Sequence, residues 1–532
     1  MKFRKVLLLF LILGFGFIVE GITVGQRLVN NDFDFPNIQF DGFPFRGRSL
    51  FRGPSHDFTE SKTLEAAGVT AIEVSNDYGD VTVRRNRDPK AQIRIDLRKE
   101  VFTRSAASAE GIADRVKLSA LAQGGLLRVG TSRENGAEYR IKTHIEIETP
   151  TPLDTRITNR HGKIIVEGAR AANLSGEWDE MRLTDVTGDC VAKNRHGALE
   201  VVSATLGCRV EVEYGDAHVE KLLAPSRVDV THGNLSAVDL AALTANLKFS
   251  DLQARKIAGA LITDGEHSDL RIDDVKGDVT LNNQGDIDIQ NIGGRVSIDN
   301  QRGHVRLLKA AGAVVIKNTF EEVAAQDVAG LLEVTNQHGG IHAHKFVKGA
   351  RLETDSEDVR VADFSGPLNI QVKRGDVRAK PIRSVVSPMD IQVDIGDVSL
   401  ALPESVNAQI DASVERGSVE GNVGALKSSE QGKRLLKATI GAGGPLLKLR
   451  SRLGDISLSG EASLDDDEIN LPNAPDIEER FRPHSSGESL PVPPAAPIPA
   501  MPKGPTVPKA PKIPEPGASA PPAPPAATPR SR

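Results

Sequence analysis

Large aromatic rings are scarce in this chain of 532 residues, making up 4 % of it with one Trp and three Tyr. A set of compact globular domains would use more of them to fill its cores. Cysteine is nearly absent, and two residues can build neither a disulfide framework nor an all-cysteine zinc site. Lys+Arg 66 against Asp+Glu 72 leaves a formal charge of −6, without the positive excess of a nucleic-acid footprint. No P-loop, GxSxG elbow, HExxH or dinucleotide fingerprint stands in a usable context. The sequence therefore gives no reason to expect an enzyme, and no catalytic residue, cofactor or metal site is assigned. Gly (49) and Pro (31) are plentiful, and both are unevenly placed.

The two ends differ from the middle. Lys2, Arg4 and Lys5 precede Val6–Val24, an apolar stretch broken by Glu20 and by Gly14, Gly16, Gly21 and Thr23. About twenty apolar residues cross a bilayer, and a basic flank stays on the cytoplasmic side. A cleaved signal peptide has a shorter apolar core. The uninterrupted run Val6–Val19 suits either, but no small-x-small cleavage site follows, so an uncleaved transmembrane anchor is expected over 1–24. Residues 25–60 read as a flexible tether, with Phe33, Phe35, Phe40, Phe43, Phe45, Phe51 and Phe58 scattered at no period. From Pro491 to Arg532, sixteen of forty-two residues are Pro. With the acidic run Asp465–Glu468, they mark 461–532 as a disordered tail that is extended and polyproline-like in its Pro-rich part.

Between the ends lies an internal repeat. Its clearest copies read GDVTLNNQGDIDIQNIGG from Gly277 and GRVSIDNQRGHVRLLKAAG from Gly294. A turn Gly recurs at 162, 197, 215, 233, 285, 303, 339 and 375, with Asp179, Ser250, Ser268, Glu321 and Glu357 in the intervening slots. Thirteen slots from 162 to 375 give a mean step of about 17.75 residues, and Gly396, Gly417 and Gly454 continue at wider spacing. Apolar residues fall seven, five and three before each slot and two and four after it, as Leu368, Ile370, Val372, Val377 and Ala379 do around Gly375. Alternation on both sides of a Gly-Asp turn means two short strands per copy. One copy buries too little to fold alone, so copies must stack. The fold class expected is all-β, a parallel β-solenoid of 17–18-residue coils over 156–460. At about 4.8 Å per coil, thirteen coils span roughly 58 Å. Residues 61–155 read as an N-terminal β cap, with a hairpin over Ile72–Val83, strands at Gln92–Leu97 and Thr143–Ile147, and a helix over Ser108–Leu118. Leu446–Leu458 is a closing strand-turn-strand.

HIEIETPTPLDTRITNRHGKIIVEG from His144, the GD(V/I) coils and LRSRLGDISL from Leu449 are similar to the bacterial "putative adhesin" β-solenoid family over about residues 60–460. The resemblance implies a solenoid and a cell-envelope location, and it carries no catalytic residues. With the anchor, it places the bulk of the chain in the periplasm or outside the cell, the N-terminus being cytoplasmic.

Several columns run along the repeat. The residue before each slot is a ring in seven consecutive coils: His161, Trp178, His196, Tyr214, His232, Phe249 and His267. Phe320 and His338 repeat the pattern further on. Stacked rings would stiffen one corner; the alternative is a linear strip for sugar rings, which makes these seven the candidate ligand-binding residues. After the slot stand Asp216, Asp251, Asp269, Asp286, Asp358, Asp376 and Asp397. They are expected to cap turns, with a bound cation as the lesser alternative. His342 and His344 should point outward on one strand, one turn from His338; with no carboxylate or thiolate third ligand in register they are expected to be exposed polar residues, a divalent-metal site being the lesser alternative. Cys190 and Cys208 each lie seven before a turn Gly, in the same inward slot of successive coils. Parallel strands aim both Cβ atoms the same way, so two buried, reduced thiols are expected. The function expected is non-enzymatic adhesion, binding or scaffolding, with an envelope glycan or envelope protein as partner and no nucleic acid. A polysaccharide-active β-helix enzyme and an envelope-stress or signalling partner are the alternatives.

Overall fold

The computed structural model describes residue 51 and residues 54–460, apart from 87, 89–91, 134–139, 179, 383–386, 404–405 and 424–425. The anchor over 1–24, most of the tether and the tail over 461–532 lie outside the described residues. Among the described residues, no helix is long and apolar enough to cross a membrane.

The repeat is a parallel β-solenoid. About thirteen coils of two strands run from Asp154–His161 and Ile164–Glu167 to Leu368–Arg374 and Val377–Pro381. Each strand pairs in parallel with its counterpart one coil away. Leu252, Leu270, Ile287, Val305, Val323, Ile341, Val359 and Val377 thus form one unbroken column. Inward positions are buried as the alternation requires: Leu368, Ile370, Val372, Val377 and Ala379 are all at most 3 % exposed. Period-two patterning has become a continuous aliphatic core.

Two features of the coils escape that pattern. From Asp185 to Asp363, a non-glycine residue near φ +52° to +67° recurs after the second strand's first inward pair. This left-handed corner turns the next residue back inward, so Val186, Leu222, Ile257, Val328 and Phe364 are also buried. Asp, Asn, Lys and Ser hold the position, and only the first two favour that conformation. Buried amides are the other feature. Asn283, Asn300, Asn318 and Asn336 occupy an inward slot near the turn, where Asn318 and Asn336 both donate to the Glu321 carbonyl at 3.2 and 2.8 Å.

The turn slot is tight. A Cβ on Gly215 would stand 2.2 Å from the Gly197 carbonyl oxygen, at φ +154°. Where Ser250 and Ser268 fill the slot, the positive φ moves to the preceding ring, Phe249 at +51° and His267 at +55°. Glu321 and Glu357 keep it themselves, at +73° and +81°.

Both ends are threaded out of order. Ala71–Tyr78 and Val81–Arg85 are not the expected hairpin; they form a coil, paired in parallel with Asp154–His161 and Ile164–Glu167. The Asn-Asp-Tyr-Gly turn between them is a coil corner, not a reversal. Beyond it lie Leu126–Arg133 and Ile141–Thr149, also parallel. Antiparallel strands then cover the end: Val116–Gln123 on the first, Ile93–Phe102 and then Ser55–Leu64 on the second. Ser55–Leu64 takes in the last residues of the expected tether. Its Phe58 packs on the Val101, Ala113 and Ile141 cluster, a long-range contact that no local period announces. The helix is Ala106–Ala113 with Ser105 as its cap, shorter than expected because Val116 onward joins the sheet. At the other end, Leu446–Leu453 and Ile456–Gly460 insert between the coil of Met389–Ile395 and Val398–Leu402 and the coil of Ala408–Arg416 and Val419–Asn422. The spatial order of the last turns is therefore Gly396, Gly454, Gly417 rather than the chain order. Antiparallel Leu435–Ile440 and Leu426–Gly432 finish the stack.

Cys190 and Cys208 are in register, with Cα atoms 4.6 Å apart, and form a disulfide. The expected pair of reduced thiols is corrected. The spacing lies within the roughly 4.4–6.8 Å that a bridge spans, and parallel Cβ directions do not prevent the sulfurs from meeting across one coil step.

Candidate functional site

The ring column is a face-to-face stack. Successive centroids from His161 to His267 are 3.9–6.1 Å apart, with planes within 4–21°. Rings side by side in one plane would overlap at these separations, so the planes lie across the solenoid axis. Their faces cover one another, and their edges point outward. Trp178 and Tyr214 are each 47 % exposed and Phe249 52 %. A sugar therefore cannot lie flat on an inner rung; what the strip offers is edges. Those edges carry indole and imidazole N–H groups, a phenol hydroxyl and the positive rim of the ring quadrupole.

The structure adds a rung that the repeat reading missed. Tyr78 stacks on His161 at 4.7 Å and 9°, and Phe51 caps it at 5.5 Å. Tyr78 directly precedes Gly79, the same slot relation as every other rung, but the hairpin reading hid it. With Tyr78 included, Tyr, Trp, Tyr and Phe alternate strictly with four histidines. Beyond His267 the column passes to Gln284 and Arg302, and Gln284 donates to Gln301 at 3.2 Å. Phe320 and His338 stack separately at 5.2 Å.

A groove runs beside this ladder on the strand face that follows the turn. It encloses about 880 Å³ and is lined from Lys163 to Arg271 by outward residues including Arg182, Glu200, His218, Ser236 and Gln253. Those residues stand one above another in the parallel register. Their charges are largely paired: Lys163 with Glu180 at 2.7 Å and Arg182 with Glu200 at 3.4 Å.

The aspartate column forms hydrogen bonds between coils, where caps on each residue's own turn were expected. Asp216 accepts from the Asn234 backbone N–H at 2.9 Å, Asp251 from Asp269 at 3.1 Å, and Asp269 from Asp286 at 3.1 Å. Asp286, Asp358, Asp376 and Asp397 do the same further along. Each carboxylate thus links its turn to the next. Burial pushes Asp269 above the ordinary carboxylate range against the Asp286 N–H bond, and the charges of Asp251 and Asp286 add to the rise. Among the described residues, no group of three or more His, Cys, Asp or Glu is placed to hold a metal. His342 and His344 are half-buried and diverge to separate carboxylates, Glu322 at 3.1 Å and Asp363 at 3.0 Å. The hydrogen bond from His342 holds Glu322 below its usual range, outweighing burial.

Residues 261–459 match the family model described as Toastrack DUF4097. Similar solved structures include a "putative cell adhesion protein" from Clostridium sporogenes, 8 % identical with TM-score 0.14, covering 76 % of this chain and 100 % of that one. A "putative adhesin" from Bacteroides fragilis is 10 % identical with TM-score 0.16, covering 76 % and 97 %. Another from Parabacteroides merdae is 12 % identical with TM-score 0.17, covering 62 % and 98 %. No curated protein matches.

Proposed function

We propose that this chain is a membrane-anchored solenoid outside the cytoplasm, acting in the bacterial cell envelope by adhesion, binding or scaffolding and carrying out no reaction. The observation that carries the reading is the coil surface itself. From Gly162 to Gly375, successive slots are 17 or 18 residues apart, so no inserted loop walls off a cleft where catalytic groups could converge. What the coils offer instead is columns of one residue per coil, a geometry suited to extended partners such as an envelope glycan or an envelope protein. The basic flank and apolar span before Gly25 support a single-pass anchor with the solenoid in the periplasm or outside the cell.

Two experiments test this. Protease added to spheroplasts should destroy the solenoid; full protection, or a soluble mature protein beginning near Gly25, refutes the anchored topology. Tagged full-length protein in detergent should retain glycan or protein from solubilised envelope, and retention of neither rejects the binding role.

A further inference from the structure

We propose that the ring ladder and the groove beside it form one elongated site for a neutral, unbranched glycan, an assignment that rests on the binding role above. The two features are coextensive. The seven solenoid rungs run from His161 to His267, and the groove runs from Lys163 to Arg271. Where the ladder gives way to Gln284, the groove also ends.

Charge selects the class of ligand. The groove presents Lys163, Arg182 and Arg271 against Glu180, Glu200, Asp216 and Asp251, a near balance, and the first two cations are already paired. A polyanion finds no net field to draw it in. A peptide strand finds no open edge, because Arg182, Glu200, His218, Ser236, Gln253 and Arg271 sit on strands paired in succession. Hydroxyl groups fit what remains. Paired carboxylates accept from them, Asn234 and Gln253 can donate or accept, and the ring edges supply further donors.

Period selects the shape. One outward residue recurs per coil, about every 4.8 Å, so the ligand must be linear. The ladder's chemical repeat is two coils, since aromatic rings and histidines alternate. An extended chain of equatorially linked sugars also repeats every second unit, because each ring is turned over relative to the last.

Trp178 is the single Trp of the chain, so the intrinsic tryptophan fluorescence of the full-length protein reports this strip alone. Cellohexaose or chitohexaose should change that emission saturably, and the matching disaccharide should bind more weakly. Ala198→Arg would fill the groove from an exposed position off the ladder. It should weaken binding about tenfold or more with an unchanged melting temperature, whereas Leu331→Arg, at an exposed position outside the groove, should not. No saturable response to either hexasaccharide overturns the assignment, as does a tighter response to polygalacturonate or hexaproline, or wild-type binding by Ala198→Arg. Envelope capture that persists without any hexasaccharide response would overturn the glycan and leave the binding role standing.

Discussion

At the scale of single residues, position in a column decides what a side chain costs. Asp269 lies between Asp251 and Asp286 in the inter-coil hydrogen-bond line, and its folded pKa is raised. A raised carboxylate pKa means that the folded state binds the proton more tightly than the unfolded one. The associated stability is present at acid pH and lost as pH rises through the folded value. Asp269→Asn keeps an acceptor for the Asp286 N–H and removes the charge. Its melting temperature should exceed wild type at pH 7, with the gap closing as pH falls below the carboxylate range. A lower melting temperature at pH 7 would show that the charge helps its neighbours. Trp178 gives a second case. A fully buried Trp would lose about 3–5 kcal/mol on truncation, but this one is 47 % exposed and stacked chiefly on His196 at 3.9 Å. Trp178→Ala should cost roughly 0.5–1.5 kcal/mol for the lost stack, plus part of its area burial. Urea unfolding measures it, and a loss near the buried figure would mean that the ladder is a principal support of the solenoid.

Within each coil, what was legible depended on whether a local pattern carried the signal. The Gly-Asp turns and the flanking alternation of Leu368, Ile370 and Val372 specify two strands unambiguously, because side-chain period is a property of the strand itself. The left-handed corner was hidden, since Lys221 or Lys309 at positive φ obeys no composition rule and is imposed by stacking on its neighbours. The ring column could be read from spacing, but not that its faces would be closed and its edges open. That depends on side-chain tilt across the coil step. The groove was invisible for a related reason: its residues are ordinary polar side chains, and only the register brings Arg182, His218 and Gln253 together. The disulfide was misjudged at this scale too. Cys190→Ala with Cys208→Ala should destabilise by at most about 3 kcal/mol, the entropy of a loop of this order, because the coil is already held by parallel strands on both sides. Thiol counting in denaturant without reductant should find no free group in the monomer; two free groups would restore the reduced pair.

For the whole solenoid, stability is a sum of coils and their interfaces, and the ends decide how it is spent. Each end has its outermost coil linked through the chain to levels further in. At the C-terminal side the chain passes over the position next to the 389–402 coil, builds 408–422, covers it with antiparallel strands and returns to fill the gap with 446–460. The outer coil therefore rests on a layer that arrives after it in the chain. A protein ending at residue 445 would leave 389–402 with an open face and 408–422 with no parallel partner. Hydrogen exchange of that truncated protein, against full length, should show protection lost across 389–440 and kept across 154–267, which spans the seven rungs from His161 to His267. Nearest-neighbour coupling predicts that gradient, because the loss of one interface is felt mainly by the coils that shared it. Uniform loss of protection along the solenoid would mean instead that the stack folds as one cooperative unit. The inserted coil would then be a requirement for the fold, and not a lock upon its end.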